Sequence, residues 1–259
     1  MHRSWNAPST APLRVAVPLP VPGRIACPRS PPDLQRAAML PALAHIDTWI
    51  FDLDNTLYPA SANLFALIDA RMTAFVGDLL GLDPVEARRV QKDYFLGHGT
   101  TLAGLMANHE IDPAAFLSYV HDIEMDVLEA NAPLAAHLAN LPGRKLVFTN
   151  GDKPYALKVL DRLGLGDSFE AVHDIVAMDL TPKPAAEAYA GLCTAFDIAP
   201  TRALFVEDMA RNLRPAKAIG MTTVWVDNGS EQDHDADRGY VDYRIDDLTH
   251  WLETILEAQ

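Results

Sequence analysis

Residues 48–56 read Thr48-Trp49-Ile50-Phe51-Asp52-Leu53-Asp54-Asn55-Thr56, and this stretch decides the fold of the 259-residue chain. Its first four residues form a short apolar and β-rich run, which predicts a buried strand that ends at Asp52. Asp52 and Asp54 can both face one pocket if the chain leaves the sheet between them. Functional residues concentrate at such strand ends. A solvated turn is the alternative interpretation of the same pentapeptide.

Beyond residue 133, apolar runs alternate with segments of helical spacing. The runs predicted as strands are 145–148, 171–176, 203–206, 222–226 and, as an edge strand, 240–245. Strands that alternate with helices form right-handed βαβ units and hence a parallel sheet. The sequence therefore predicts an α/β fold with a doubly wound, Rossmann-like parallel sheet. In such folds ligands bind outside the carboxyl ends of the strands.

Between the first two predicted strands, apolar residues recur with helical spacing. The helices predicted there are 64–79, 84–95, 102–108 and 113–128. Glycines and prolines separate them, as expected for helix boundaries. A helical block inserted after the first strand predicts a cap domain at 61–132. The α/β core would then comprise residues 45–60 and 133–259.

The first 44 residues differ from the rest, because prolines recur there with arginines between them. Prolines at this density prevent helices and central strands alike. Segment 1–44 is therefore predicted to be a disordered or polyproline-like extension. A transit peptide and a translation start at Met39 are two further interpretations of it.

Polar residues also follow the later strands at their carboxyl ends. Thr149 and Asn150 come after strand 145–148 and before a helix, where hydroxyl, amide and backbone N–H groups favour an anion site. Lys183 lies between two prolines in a stiff segment and could hold a carboxylate and a phosphate as a point charge. Each feature alone is also typical of an ordinary turn, helix cap or surface.

A second acid pair, Glu207 and Asp208, ends the predicted strand 203–206. Carboxylate oxygens are the ligands that Mg²⁺ prefers, together with water. In a chain that already places Asp52 and Asp54 at a strand end, this pair predicts a Mg²⁺ site. A charged turn that caps the next helix is the alternative interpretation.

Composition and charge exclude several classes of protein. The net charge of −14 argues against a nucleic-acid polymer as partner, since phosphate backbones require clustered Lys and Arg. No apolar run is long enough to predict a membrane-spanning helix. Cys27 and Cys193 are far apart and form no CxxC pair, which favours free thiols in a reducing cytoplasm. The oligomeric state is not indicated by any pattern.

The order acid pair, Thr-Asn, Lys, acid pair resembles that of the haloacid-dehalogenase-type hydrolase superfamily over about residues 46–230. Within it, the chain is similar to the pyrimidine 5′-nucleotidase group. The stretches that carry this closer likeness are FDLDNTLYP at 51–59, Tyr94 with GTTLAGL at 99–105, YVHDI at 119–123, and residues 141–151. The resemblance implies a Mg²⁺-dependent phosphomonoesterase with an aspartyl-phosphate intermediate. Its substrate would be a small phosphate ester, namely a pyrimidine nucleoside 5′-monophosphate.

The resemblance also implies a role for each site residue. Asp52 would be the nucleophile, Asp54 the general acid and base, and Lys183 the catalytic cation that orients the nucleophile. The phosphate-binding residues would be Thr149, Asn150 and Lys183. The Mg²⁺ ligands would be Asp52, the backbone carbonyl of Asp54, and Asp208 with or without Glu207.

Two departures from the family pattern and three rival functions accompany this interpretation. Tyr155 stands where the family often has a histidine, and the last acidic motif is Glu-Asp rather than Asp-Asp. A phosphoglycolate or sugar-phosphate phosphatase would share every catalytic residue. A 2-haloacid dehalogenase expels halide and needs no proton donor at Asp54. A non-catalytic phospholigand-binding module would require neither aspartate.

Overall fold

Parallel strands form one six-stranded sheet in the part of the chain that this computed structural model describes, residues 41–229 and 238–257. The strands are β1 (Thr48–Phe51), β2 (Arg144–Phe148), β3 (Ala171–His173), β4 (Ala203–Glu207), β5 (Thr222–Val226) and β6 (Tyr243–Ile245). Their order is β3-β2-β1-β4-β5-β6, and every neighbouring pair is parallel. This is the order of a doubly wound sheet. The predicted fold class is confirmed.

The central strand β1 carries the first acid pair to the edge of the sheet where ligands bind. Phe51 lies in register with Val147 of β2 and Val206 of β4, and the backbone N–H of Asp52 still donates to the carbonyl of Val206 at 2.9 Å. All four residues of β1 are buried. A parallel strand covered on both faces is expected to be apolar throughout, which explains why β1 shows no alternation.

Helices pack on the sheet and on one another. They are α1 (Leu64–Leu80), α2 (Pro84–His98), α3 (Thr101–Asn108), α4 (Pro113–Val120), α5 (Ala132–Asn140), α6 (Lys153–Arg162), α7 (Ala186–Phe196), α8 (Ala210–Ala218) and α9 (Leu248–Glu257). The helices α1 to α4, inserted between β1 and β2, contact each other, whereas α5 contacts α9. Within the described ranges, every helix falls short of the length and apolar character needed to cross a membrane.

The first residues of several helices explain where they begin. The carboxylate of Asp83 accepts hydrogen bonds from the backbone N–H groups of Val85 and Glu86, and Pro84 occupies the first turn of α2. Asp112 and Pro113 start α4 in the same way. Such a side chain satisfies N–H groups that have no partner inside the helix, and proline lacks the N–H that would be unsatisfied there.

Three predicted elements are shorter in the structure, and one of them is the edge strand predicted at 240–245, which begins only at Tyr243. The helix predicted at 113–128 ends at Val120, because His121 turns its ring onto Tyr155 of α6 with 4.3 Å between ring centroids. The strand predicted at 171–176 ends at His173. There the carboxylate of Asp174 accepts hydrogen bonds from the backbone N–H groups of Lys153 and Ala177 and starts a turn. A tertiary contact ends the helix, and hydrogen bonds of the Asp174 carboxylate end the strand, earlier than the apolar spacing predicts.

A close contact between α2 and α3 requires a glycine. A Cβ atom added to Gly104 would lie 2.3 Å from the Cβ of Tyr94, closer than real Cβ contacts allow. Helices approach this closely only where one of them lacks a side chain. Gly104 and Tyr94 both belong to the stretches that carry the family likeness.

Some sequence predictions lie outside the described residues. They include the predicted extension up to residue 40, a translation start at Met39, and the thiol of Cys27. The last part of the predicted extension is described: Pro41–Leu43 form a 3-10 turn, and the side chain of Leu43 is buried in the core. Cys193 is a free thiol.

Candidate active site

All seven predicted site residues line one cavity of about 310 Å³ at the carboxyl edge of the sheet. They are Asp52, Asp54, Thr149, Asn150, Lys183, Glu207 and Asp208. The first acid pair follows β1, the Thr-Asn pair follows β2, and the second acid pair lies at the end of β4. Lys183 comes from the segment between β3 and α7. Parallel strands with a common carboxyl edge bring these distant residues together.

Lys183 is the electrostatic centre of the site. Its ammonium group donates hydrogen bonds to Oδ1 of Asp52 at 2.7 Å, to Oε2 of Glu207 at 2.7 Å, and to the carbonyl of Phe148 at 2.8 Å. Its side chain is 1% exposed. Burial alone would lower the pKa of Lys183, but the charges of Asp52 and Glu207 outweigh it and hold the pKa above its ordinary value. Lys183 is therefore a permanent cation.

The carboxylate of Asp52 is fixed from both sides. Lys183 binds its Oδ1, and the hydroxyl of Thr56 donates to its Oδ2 at 3.2 Å. The residue is 6% exposed and yet lines the cavity. A carboxylate held in this way can attack a substrate with little loss of rotational freedom.

Asp54 is held by two phenol groups. The hydroxyls of Tyr58 and Tyr155 donate to its Oδ1 at 2.7 and 2.5 Å. Burial and the charge of Asp52 raise the pKa of Asp54, although both tyrosine hydrogen bonds act in the opposite direction. A raised pKa favours the protonated carboxyl group, which is the form that can donate a proton to a leaving group.

The two phenols are donors at every pH where the protein would be assayed. Burial, followed by the charge of Asp54, holds the pKa of both Tyr58 and Tyr155 well above that of an ordinary tyrosine. Tyr155 occupies the position where the sequence departs from the family pattern. Sequence reasoning identified the departure but not the contact with Asp54.

The two residues of the Thr-Asn pair, Thr149 and Asn150, have different hydrogen-bond partners. Thr149 is 1% exposed, and its hydroxyl oxygen accepts a hydrogen bond from the backbone N–H of Gly151 at 3.0 Å. The side-chain amide of Asn150 instead bonds both backbone groups of Lys183: it accepts from the N–H at 2.8 Å and donates to the carbonyl at 3.2 Å. Asn150 therefore positions the Lys183 segment as well as lining the cavity.

The residues of the acid cluster fit a hard divalent cation. One carboxylate oxygen each from Asp52, Glu207 and Asp208 lies within 4.8 Å of the others, and all three residues are buried. Asn212 lines the same cavity, and its buried side-chain oxygen has no hydrogen-bond partner among the described residues. An oxygen donor set of this kind is what Mg²⁺ prefers. Burial and Asp52 raise the pKa of Glu207 to about 7, against the opposing effect of Lys183.

The other wall of the cavity comes mostly from the inserted helices. Its apolar part is mainly aromatic and branched, and comprises Phe65, Ile68, Met72, Phe95, Leu102, Phe116, Leu117 and Val120. Its polar part includes Asp69, Gln91, Lys92 and His121. The Asp69 carboxylate accepts hydrogen bonds from two of the other three, Gln91 at 2.8 Å and Lys92 at 2.7 Å.

Two further residues connect the inserted helices to the core. The guanidinium of Arg211, on α8, lies 4.3 Å from the ring centroid of Phe95 and donates to the carbonyl of Gly99 at 3.3 Å. His121 lies 3.0 Å from the carboxylate of Asp152, which caps α6. Sequence reasoning missed both, because neither pair is close in sequence.

The fold therefore carries acid pairs at the carboxyl ends of β1 and β4, around the buried Lys183. The chain belongs to the haloacid dehalogenase-like hydrolases, since the sequence model of that family matches residues 46–220. It is 28% identical over 194 residues to Phosphate metabolism protein 8 of Saccharomyces cerevisiae. That match covers 67% of this chain but only 59% of the yeast protein.

Solved structures give the same fold. A HAD phosphatase from Thermococcus onnurineus is similar with a TM-score of 0.56 and 20% identity, over 83% of this chain and 99% of that one. The L-2-haloacid dehalogenase PA0810 is similar with a TM-score of 0.51 and 17% identity, over 81% of this chain and 99% of that one. The same fold therefore occurs in a phosphatase and in a dehalogenase. The fold alone does not determine the reaction, which depends on the side chains of the site.

Proposed function

We propose that this protein is a Mg²⁺-dependent phosphomonoesterase that acts through an aspartyl-phosphate on Asp52. The observation that carries the proposal is the contact between Asp52 and the buried ammonium of Lys183, with the protonatable Asp54 two residues further on. The yeast relative is named for phosphate metabolism, and one similar structure is that of a phosphatase.

In the proposed reaction, the carboxylate of Asp52 attacks the phosphorus atom and forms a new P–O bond. The bond from phosphorus to the leaving oxygen breaks, and Asp54 gives its proton to that oxygen. Water then attacks the phosphorus atom of phospho-Asp52, and the bond between phosphorus and the Asp52 oxygen breaks, which releases phosphate and restores the carboxylate. Asp54 takes up the proton that the attacking water loses. Lys183 reduces the repulsion between nucleophile and phosphate, and Thr149 and Asn150 would contribute hydrogen bonds to phosphate oxygens.

A Mg²⁺ ion would be held by Asp52, the backbone carbonyl of Asp54, and Asp208 with or without Glu207. When bound, it supplies positive charge beside the transferred phosphoryl group. The supporting observation is the buried oxygen cluster at this place. In a chain with a net charge of −14, a phosphate substrate needs such local positive charge.

We further propose that residues 61–132 act as a cap over a core of residues 45–60 and 133–259. Helices α1 to α4 supply the apolar wall of the cavity. A wall of this kind excludes water from the reacting groups and selects the leaving group.

The proposed substrate is a pyrimidine nucleoside 5′-monophosphate. The aromatic side chains of Phe65, Phe95 and Phe116 on the cap wall suit a flat base. The ammonium group of Lys92 binds Asp69 with one of its three donors and can offer another to the edge of the base. Phosphoglycolate or a sugar phosphate would present carboxylate or hydroxyl groups to this apolar wall. Burying such groups without partners is costly.

The protonatable Asp54 also bears on the choice between ester hydrolysis and dehalogenation. An alkoxide leaving group needs a proton, whereas a halide ion does not. A carboxyl group with a raised pKa, held by two phenols, is therefore useful to a phosphatase and superfluous in a dehalogenase.

The test is phosphate release from a panel of esters, measured with Mg²⁺ and with EDTA. The panel contains UMP, CMP, dUMP, TMP, AMP, GMP, phosphoglycolate and several sugar phosphates. The proposal predicts Mg²⁺-dependent release that favours UMP and CMP. Release that favours phosphoglycolate or a sugar phosphate would retain the mechanism and overturn the substrate. No release from any ester, with halide release from a 2-haloacid, would overturn the mechanism.

A further inference from the structure

Two tyrosines from distant parts of the chain bind the same oxygen of Asp54. Tyr58 lies in the segment after β1 and Tyr155 in the first turn of α6, yet both hydroxyls donate to Oδ1, at 2.7 and 2.5 Å. Tyr58 is 2% and Tyr155 1% exposed. Both lie behind Asp54, outside the set of residues that line the cavity. They therefore act on a substrate only through Asp54.

This arrangement distinguishes the two oxygens of the carboxyl group. Oδ1 receives both phenol hydrogen bonds, and within the described residues no hydrogen bond reaches Oδ2. Two donors on one oxygen oppose rotation about the bond between Cβ and Cγ. The oxygen that remains for the substrate is then Oδ2, held in one orientation towards the cavity.

Tyr155 is itself held in place by its neighbours. Its ring is stacked on that of His121 with centroids 4.3 Å apart and 12° between the planes. Its backbone N–H donates to the carboxylate of Asp152 at 3.1 Å, in the helix cap of α6. A donor that cannot move imposes its geometry on its acceptor, here Asp54.

We propose that Tyr58 and Tyr155 are positioning residues that aim Oδ2 of Asp54 at the leaving oxygen of the substrate. This inference rests on the proposed phosphatase function. When the bond from phosphorus to the leaving oxygen breaks, the electron pair stays on that oxygen, and the proton on Oδ2 of Asp54 passes to it. Without the two phenols the carboxyl group rotates, and fewer enzyme–substrate complexes have the acid in place.

A pair of esters with unequal leaving groups tests this role. Benzyl phosphate leaves as an alkoxide and needs the proton, whereas p-nitrophenyl phosphate leaves as a stable phenolate and does not. In Tyr155→Phe, we expect kcat/KM for benzyl phosphate to fall about tenfold more than for p-nitrophenyl phosphate, a part of the roughly 10²- to 10⁴-fold effect of a positioned general acid. Tyr58→Phe should show the same selective loss, and Asp54→Asn the largest one.

Matched controls separate positioning from general damage. Tyr240→Phe removes another buried tyrosine hydroxyl, one that bonds Arg238 away from the cavity, and should leave the ratio of the two kcat/KM values unchanged. Thermal unfolding of each variant checks that it folds, and Tyr58→Phe replaces Tyr155→Phe if the latter does not. If the unaltered enzyme is active and the tyrosine variants lose kcat/KM equally on both esters, the positioning role is overturned while the proposed function stands. The unaltered enzyme is assayed on UMP beside the two esters, and release of phosphate from none of the three overturns the proposed function, and the positioning role with it.

Discussion

The ammonium of Lys183 lies 2.7 Å from Oδ1 of Asp52, and the side chains are 1% and 8% exposed. The same ammonium binds Glu207, so one buried cation serves two buried carboxylates. Removing one partner of a buried ion pair leaves an uncompensated charge, which costs more than the pair gains. This contact therefore links the stability of the fold to the chemistry of the site.

Replacing Lys183 by methionine should abolish turnover and also destabilise the protein. The substitution leaves Asp52 and Glu207 without their cation, at a cost of roughly 3–5 kcal/mol. Urea unfolding in EDTA measures this loss. The double variant Lys183→Met/Glu207→Gln should regain part of the stability, since one buried charge is gone, without regaining turnover. A single variant as stable as the unaltered protein would contradict this account.

Glu207 predicts an unusual dependence of stability on pH. Its pKa in the folded protein is raised to about 7 from an ordinary 4.5, so the folded state holds a proton that the unfolded state has lost. This contribution is full below the ordinary pKa and disappears as the pH rises through about 7, a change on the order of 3 kcal/mol. In EDTA, the urea midpoint should therefore fall between about pH 5 and 7.5.

Two comparisons assign that fall to the acid cluster. Glu207→Gln should make the fall smaller, because it removes one titrating group, while the raised pKa of Asp54 still contributes in the same direction. Added Mg²⁺ should reduce the fall in the unaltered protein, because the ion favours ionised carboxylates. A midpoint that rises over this pH range in EDTA would contradict the prediction.

Much of this site could be predicted because each functional group directly follows an apolar run. The carboxyl ends of parallel strands share one edge, so Asp52, Thr149 and Glu207 had to meet once the strands were identified. The contacts of Asp54 could not be predicted in the same way. Tyr155 is 101 residues away from it, and only the packing of α6 brings the two together.

Boundaries that depend on tertiary contact were also beyond the sequence. Apolar spacing continues past Val120, but His121 leaves the helix to stack on Tyr155. The contact of Arg211 with Phe95 could not be predicted either, because it joins two segments that are far apart in the chain. Local pattern fixes the type of an element, and packing decides where it ends.

Two glycines in neighbouring helices should respond oppositely to alanine. Gly104→Ala places a Cβ 2.3 Å from that of Tyr94 and should lower the free energy of unfolding by about 1–3 kcal/mol. Gly97→Ala, in α2, meets nothing within 4 Å and should raise it by about 0.5–1 kcal/mol. Chemical denaturation of both variants checks the prediction. A neutral Gly104→Ala would contradict the close contact of α2 and α3.

Phe95 should contribute to the recognition of a base. Phe95→Ala is expected to raise KM for UMP roughly tenfold, within the 1–3 kcal/mol typical of stacking between a base and an aromatic ring. Ribose 5-phosphate, which has no base, is the matched control and should keep its KM. Equal increases for the two esters would indicate that Phe95 supports the cap without contacting a base.

The central claim is that Asp52 carries the phosphoryl group, and its most direct test is phosphate release by Asp52→Asn beside the unaltered enzyme. Both proteins are assayed with Mg²⁺ on the ester that the panel favours. The asparagine side chain preserves the size of the group but cannot act as the nucleophile, so release should fall by roughly 10³-fold or more. Release at the unaltered rate from a folded Asp52→Asn protein would contradict the mechanism.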